Sequence, residues 1–413
     1  REASSMKKSA ALLTALVLTL SGCGYAEEVN EKKFLIALGI DEGTEYNVRA
    51  TFVFANPSDS GGEEGAKGSP GSDKSDILTV EAPGIFSAVK QLNGILGKTI
   101  DMTHTKVIIF SDEAAKEGIG DYIYSFAAAR DFRPNTYVCV SRCSAEKYLH
   151  KIKPSNEISL EKYFDLIMKK VSSDRINESY LYYFYFNLAD KTGGSIVPLV
   201  DINANKLPDA SSEKSSADDF ELNPKAGELV RKAENKTEVC GSAVFSGGKM
   251  VAEIGALSSD ISKMITGEFS SEYFTLRNPS AQKLTSVLLS QRSAPRIKTE
   301  IGDITKIRVT VPLNAKYVDS APPSDAELAE FENYLSSVLS KKGNRIIKRA
   351  QTKYESDYFG FNEKLRSSFI DIPAWNSFGW NEKFKTADIK VKFTVQVTDF
   401  EELNSGEAMK GEN

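Results

Sequence analysis

Covalent chemistry has few places to happen in this chain, which holds four cysteines and two histidines in 413 residues. One cysteine stands in a distinctive setting. Met6-Lys7-Lys8 precedes an apolar run from Ala10 to Leu20, and Leu20-Ser21-Gly22-Cys23 follows. Two lysines and about a dozen apolar residues have the form of a secretory signal, too short to span a bilayer comfortably. Small side chains before a cysteine fit a peptidase cleft and expose a thiol that can be diacylated, so Leu20 to Cys23 reads as a bacterial lipobox. An ordinary signal peptide with a chance cysteine is the alternative. The lipobox is preferred because signal charge, apolar length and the small-small-Cys order agree. On this reading residues 1–22 are removed and Cys23 carries the lipid. More than one acyl chain is needed for stable anchoring, at about 0.8 kcal/mol per buried methylene. Residues 1–5 read as an upstream start or expression remnant. No second apolar run approaches 18 residues, so the sequence offers no other span.

The remaining chemistry-bearing residues are isolated. Cys139, Cys143 and Cys240 are too few for a disulfide framework. Cys139 and Cys143 lie four apart in a strand-like run and share a face, and either could pair with Cys240. His104 and His150 alone argue against a His-rich metal site and against most His-dependent catalysis. His104, just before a strand, reads as a capping or partner-binding polar residue. There is no Gly-rich phosphate loop, no Gly-x-Ser-x-Gly elbow and no metal-binding spacing. The expectation is a protein without catalytic residues, cofactor or metal. A net charge of −5 gives no reason to expect nucleic acid.

The elements around these residues are mixed. Roughly 390 mature residues suggest two or three domains. Phe34 to Asp41 is a short apolar run, as in a buried strand, and Tyr46 to Ala55 alternates as its hairpin partner. Asn56 to Asp76 is a polar Gly/Ser/Asp/Glu loop. A strand from Ile77, a helix over Gly84–Leu96, a strand over Thr105–Phe110 and a helix over Asp112–Ala129 with Ser111 as N-cap follow. Thr136 to Ser141 is a strand, and Ser144 caps a helix to Ile152. Ser159 to Val171 is helical. Asn177 to Leu188 is a tyrosine-rich helix holding Tyr180, Tyr182, Tyr183, Phe184, Tyr185 and Phe186. It reads either as a membrane-surface or partner-docking face, or as a core helix with its hydroxyls at the rim, and the second is preferred. A strand over Ser195–Ile202 leads to a polar stretch, Asn203 to Glu228. A hairpin turning at Gly247-Gly248 and a helix over Ser258–Glu268 come next.

From Lys283 the pattern changes to short alternating strands, at Arg296–Ile301, Ile307–Leu313 and Ala315–Val318. Ser324 and Glu327 form a capping box that opens a helix reaching about Tyr354, with a weak point at Gly343. In Phe384–Phe400, Ile389, Val391, Phe393, Val395 and Val397 alternate with Lys390, Lys392, Thr394, Gln396 and Thr398, as in a strand with one buried and one solvated face. The fold class expected is α+β (mixed α/β), multi-domain, with mostly antiparallel sheets and packed helices. The C-terminal domain is expected to be a long helix on an antiparallel sheet.

Read together, these stretches resemble the C-subunit lipoproteins of spore germinant receptors, the GerAC or Ger(x)C family. The residues that carry the resemblance are the lipobox, Leu38-Gly39-Ile40-Asp41, His104-Thr105-Lys106-Val107-Ile108-Ile109-Phe110 and Ala115-Lys116-Glu117-Gly118-Ile119. They continue with Arg130-Asp131-Phe132-Arg133-Pro134, Val140-Ser141 to Ala145-Glu146, Gly241-Ser242-Ala243-Val244-Phe245, Asp357-Tyr358-Phe359-Gly360-Phe361, Trp375, Trp380 and Phe384. The resemblance implies three mixed α/β domains and a tether, through an N-terminal diacylglycerol, to the outer face of the spore inner membrane. It implies two integral-membrane partners, an A-type and a B-type germinant receptor subunit, and no enzymatic activity.

The expected organisation is a signal peptide at 1–22 and a polar tether at 23–33. An N-terminal α/β region follows at 34–205, with 34–142 as a first domain and 143–205 leading into a second. Then come a linker, hairpin and short helix at 206–280, the C-terminal domain at 281–402 and a disordered tail at 403–413. The contact surface expected for partners is the aromatic helix at Tyr182, Tyr183 and Tyr185 together with Trp375 and Trp380. Two other functions compete. A lipid-anchored solute-binding protein would need two similar lobes around a concave pocket, and a surface hydrolase would need clustered carboxylates in a cleft.

Overall fold

The computed structural model describes residues 31–55, 76–129, 131–153, 159–171, 179–204, 207, 217–279, 283–318 and 324–400. The signal segment, Cys23, residues 23–30 of the tether, nearly all of the acidic loop and the 403–413 tail lie outside the described residues.

The first sheet opens as an antiparallel meander of β1 (Lys32–Glu42), β2 (Val48–Phe54) and β3 (Ile77–Ala82). Helix α1 (Ile85–Leu96) returns the chain to β4 (Thr99–Asp101), which pairs parallel with the start of β1, and then to β5 (Val107–Ser111). Helices α2 (Asp112–Glu117) and α3 (Gly120–Ala128) lead to β6 (Tyr137–Ser141). The single helix expected over 112–129 is thus two, because Gly118 takes φ 135°, which breaks the helical path. After α4 (Ala145–Lys151), α5 (Leu160–Val171) and α6 (Leu181–Asp190) come β7 (Gly194–Ile202), β8 (Thr237–Ser246) and β9 (Lys249–Ile254). The sheet order is β3-β2-β1-β5-β6-β7-β8-β9, and β1, β5, β6 and β7 run parallel.

Helices cover both faces, so the interior strands are apolar throughout. Ile108, Phe110, Val138 and Val140 face α1, α3 and α6 through Leu92, Phe126 and Phe184. Val107, Ile109, Tyr137 and Cys139 face α4 and α5 through Tyr148, Leu149 and Phe164. The expected serine caps form: Ser111 Oγ accepts from Ala114 N at 3.3 Å and Ser144 Oγ from Lys147 N at 3.2 Å.

The second sheet follows α7 (Ala256–Thr266). It comprises β10 (Ser271–Asn278), β11 (Lys283–Gln291), β12 (Arg296–Glu300), β13 (Lys306–Tyr317) and the last strand, β14 (Asp388–Phe400). Between β13 and β14 lie the long α8 (Asp325–Arg349), a π turn at Ala350–Tyr354, and the short α9 (Phe361–Arg366), α10 (Ile372–Phe378) and α11 (Trp380–Thr386). The long helix packs on a sheet as expected. The sheet is not wholly antiparallel, however: β14 pairs parallel with β13, from Lys306↔Asp388 onward. A crossover as long as α8 to α11 carries the chain back to the start of β13, which parallel pairing requires.

Phe331, Leu335, Leu339 and Ile347 of α8 share a core with Val391, Phe393 and Val395 of β14. The helix also covers the strand's open edge. Val391 N, Phe393 N, Val395 N and Val397 N donate to Asn344 Oδ1 (3.0 Å), Ser340 Oγ (2.9 Å), Ser336 Oγ (2.9 Å) and Glu332 Oε1 (2.6 Å). Polar residues at four-residue spacing on one helix face thereby meet alternate amides of one strand edge. Gly343 proves to be a contact rather than a weak point, since a Cβ there would lie 2.9 Å from Phe393 Cε2.

Candidate functional site

The tyrosine-rich segment forms α6, beginning later than the sequence pattern suggests. Leu181 and Phe184 are buried one turn apart, and Tyr182 and Phe186, four residues apart, point outward. Tyr182 is 52% exposed and Phe186 39%, and their rings stack at 6.4 Å. Tyr183 and Tyr185 are half-buried. Tyr182 meets Tyr183 edge-on, and Tyr185 meets Tyr124 of α3, which is 40% exposed. Five rings from two helices thus form one partly exposed aromatic face.

Trp375 and Trp380 do not belong to it. They are 1% and 0% exposed, so the surface role expected of them is corrected. Gly379, at φ 66°, turns the chain sharply between α10 and α11, and both indoles point into the core. Trp375 packs on Phe369 and Phe378, and Trp380 Nε1 donates to Asp357 Oδ2 at 2.8 Å.

Asp357 organises the seam between the two sheets. Its carboxylate also accepts from Phe359 N (3.3 Å), Phe361 N (3.4 Å) and Asn362 N (2.9 Å), and its carbonyl from Gly194 N of β7 (2.8 Å). Burial pushes its pKa up to about 6, against the pull of Trp380 and the three amides. Ser356 Oγ donates to Phe245 O at 2.7 Å, and Arg366 pairs with Asp190 at 2.8 Å. Gly194 must be glycine, because a Cβ there would lie 1.9 Å from Ser356 Oγ.

The Leu-Gly-Ile-Asp stretch has a comparable job. Asp41, at the carboxyl end of β1, accepts from Ala145 N at 2.7 Å and Glu146 N at 3.0 Å, capping α4 from across the sheet. Burial raises its pKa despite these two donors. Gly39 lets α4 approach, since a Cβ there would stand 2.8 Å from Leu149 Cδ1. Nothing in the local sequence pairs residue 41 with residue 145.

A polar cleft of about 630 Å³ opens where β5, β6 and β7 end, lined by Asp112, Arg142, Asp201, Lys225, Glu253 and Tyr354 among others. Arg142 pairs with Glu253 (3.2 Å), Glu228 (3.2 Å) and Asp201 (3.9 Å), and Lys225 pairs with Glu253 (2.9 Å). Burial works against the charge of Glu253, but the Lys225 hydrogen bond and the two cations outweigh it and hold its pKa low. Arg142 and Lys225 are thus both met by carboxylates. The three described cysteines are all free. Burial drives the Cys139 thiol far up and pushes Cys143 and Cys240 up to about 11, so none is a thiolate at neutral pH. His104 packs edge-on against Phe34 at 4.9 Å. Among the described residues no helix is long and apolar enough to cross a membrane, and no His, Cys, Asp and Glu side chains gather as a metal-holding group.

Comparison with known proteins adds the family. The spore germination protein N-terminal domain matches residues 25–202, and the spore germination B3/GerAC-like C-terminal domain matches residues 240–401. Spore germination protein GerQC of Bacillus cereus is 19% identical over 395 residues, 94% of this chain and 97% of that protein. Putative spore germination protein YfkR of Bacillus subtilis is 19% identical over 385 residues, covering 91% of this chain and 92% of the relative. The crystal structure of the GerBC protein shares the fold, with a TM-score of 0.53 at 14% identity over 88% of this chain and 97% of that one. With both of its domain models matched in order along most of its length, the chain belongs to the GerAC family of spore germination proteins.

Proposed function

We propose that this chain is a non-catalytic, lipid-anchored subunit of a nutrient germinant receptor and acts in spore germination through assembly or signalling. It is held by a diacylglycerol on Cys23 at the outer face of the spore inner membrane, beside an A-type and a B-type integral-membrane subunit. The observation that carries this reading is the pair of family domains in order along a chain that spans almost the whole of its germination-protein relative GerQC. The lipobox supports the anchor. The test is affinity recovery of the tagged chain from spore membranes with mass spectrometry of its N-terminus. Two polytopic partners and an acylated Cys23 are expected. A chain recovered alone and unacylated overturns the reading.

A further inference from the structure

The geometry points to a second membrane contact: we propose that the aromatic face of α6 and α3 rests in the headgroup layer of a lipid bilayer and fixes how the ectodomain is oriented on it. This rests on the reading of Cys23 as an anchor.

The argument begins with where the chain enters. The starts of β5, β6 and α6 lie in one hydrogen-bonded row, which meets β1 at Ile36, four residues in from its start. Lys106 N donates to Ile36 O, Tyr137 N to Lys106 O, and Leu181 N to Thr136 O, each at 2.8 Å, and Tyr182 N donates to Pro134 O at 3.1 Å. Adjacent strands are about 5 Å apart. The first turn of α6 therefore lies at the same edge of the sheet as the start of β1, two strands away. Seven residues, 24–30, lie between Cys23 and Glu31, the first described residue, and the eight residue steps span about 28 Å at most when fully extended. A lipid on Cys23 would thus keep this edge, and not the cleft at the opposite ends of the strands, near the bilayer.

The side chains at that edge suit a headgroup layer. Tyr182, Phe186 and Tyr124 are the exposed members of the aromatic face. At the end of α1, which leads into β4 beside the start of β1, Ile95 is 71% exposed. Tyrosine combines an apolar ring with a polar tip and is enriched where one end of a side chain is dry and the other wet. An anchor on so short a leash restrains position but not rotation. A second, weaker contact at the same edge would set the orientation and turn the cleft of Arg142 and Glu253 away from the membrane.

The test uses the chain carrying Cys23→Ala, which cannot be acylated, and neutral phosphatidylcholine vesicles. Saturable co-sedimentation is expected. The triple variant Tyr124→Ser, Tyr182→Ser, Phe186→Ser should bind roughly tenfold more weakly with an unchanged thermal midpoint. Tyr273→Ser, altering a tyrosine 64% exposed on β10, should bind as before. A Tyr182→Trp variant should be quenched by brominated lipid, since both native indoles are buried. No vesicle binding by the Cys23→Ala chain, or equal binding by the triple variant, overturns the proposal. So does a triple variant that loses its integral-membrane partners in detergent, because the face would then be a protein contact. If Cys23 proves unacylated while the triple variant still weakens vesicle binding, the anchor reading fails and this contact stands.

Discussion

The two sheets solve the same problem in different ways. The large sheet has helices on both faces, and its interior strands β5 and β6 are buried at every residue. The small sheet pairs its last strand with one long helix, and β14 alternates buried and solvated positions. In the large sheet, edges are moved outward by adding strands until β3 and β9 close the order. In the small sheet, side chains of α8 replace the missing neighbour of β14. The first arrangement relies on apolar area and the second on hydrogen bonds at matched intervals, so substitutions should have different consequences in each.

The largest effect is expected at the seam that joins them. Asp357→Ala would leave Trp380 Nε1 and three buried amides without an acceptor. A loss of about 3 kcal/mol or more in urea unfolding is expected, and a loss below about 1 kcal/mol would mean the seam relaxes to find other partners. The same residue gives a pH signature. Its pKa rises from the ordinary 3.8 to about 6 in the folded chain. Between those values the native state binds a proton that the unfolded state has released, so stability falls as pH rises through the window and levels off above it. Two units correspond to about 3 kcal/mol. Asp260, also raised to about 6 by burial, adds the same trend with or without Asp357. Asp357→Asn should therefore flatten the stability profile between pH 4 and 6, and an unaltered slope would place the proton elsewhere.

Next in size is the edge of β14. Asn344 both accepts from Val391 N and donates to Val391 O, the latter at 2.7 Å. Asn344→Ala should cost about 1–3 kcal/mol, and native-state hydrogen exchange at Val391 should accelerate. Unchanged exchange would show that water fills the gap.

The smallest pair of effects gives the sharpest contrast, because one substitution should change sign between the two regions. Gly343→Ala drives a Cβ to 2.9 Å from Phe393 and should destabilise by about 1–3 kcal/mol despite alanine's better helix propensity. Gly94→Ala in α1 meets nothing within 4 Å and should stabilise by about 0.5–1 kcal/mol. Thermal unfolding of both decides it, and equal signs would remove the distinction between a contact glycine and an idle one.

Much of this was legible in the chain wherever the cause is local. The capping box at Ser324 and Glu327 forms, with Ser324 N donating to Glu327 Oε2 at 2.8 Å. The alternation of β14 and the hairpin at Gly247-Gly248 are likewise as the pattern suggests. What could not be read depends on distant residues. Strands β10 and β11 place Tyr273, Leu284 and Leu288 outside the core and bury Thr285, which blurs their alternation, so the pairing of Tyr273 with Leu288 is not visible in the sequence. Asp41 gives no local sign of α4, nor Asp357 of Trp380. Nothing local to Trp375 or Trp380 marks them as core residues, and it is the Gly379 turn that draws both inward. On α6 the tyrosines were visible, but which of them face outward depends on how Leu181 and Phe184 seat on the sheet.

The ladder between α8 and β14 works like a vernier with slightly unequal scales. Four helical residues advance about 6.0 Å, whereas two strand residues advance about 6.6 Å. Across the three intervals from Asn344 to Glu332 the scales drift apart by about 2 Å. The residues follow that drift: short serines stand at 336 and 340 in the middle, and the longer asparagine and glutamate stand at the two ends. A helix can therefore guard only a short run of strand before its side chains fall out of reach, and this one covers close to the length that the mismatch allows.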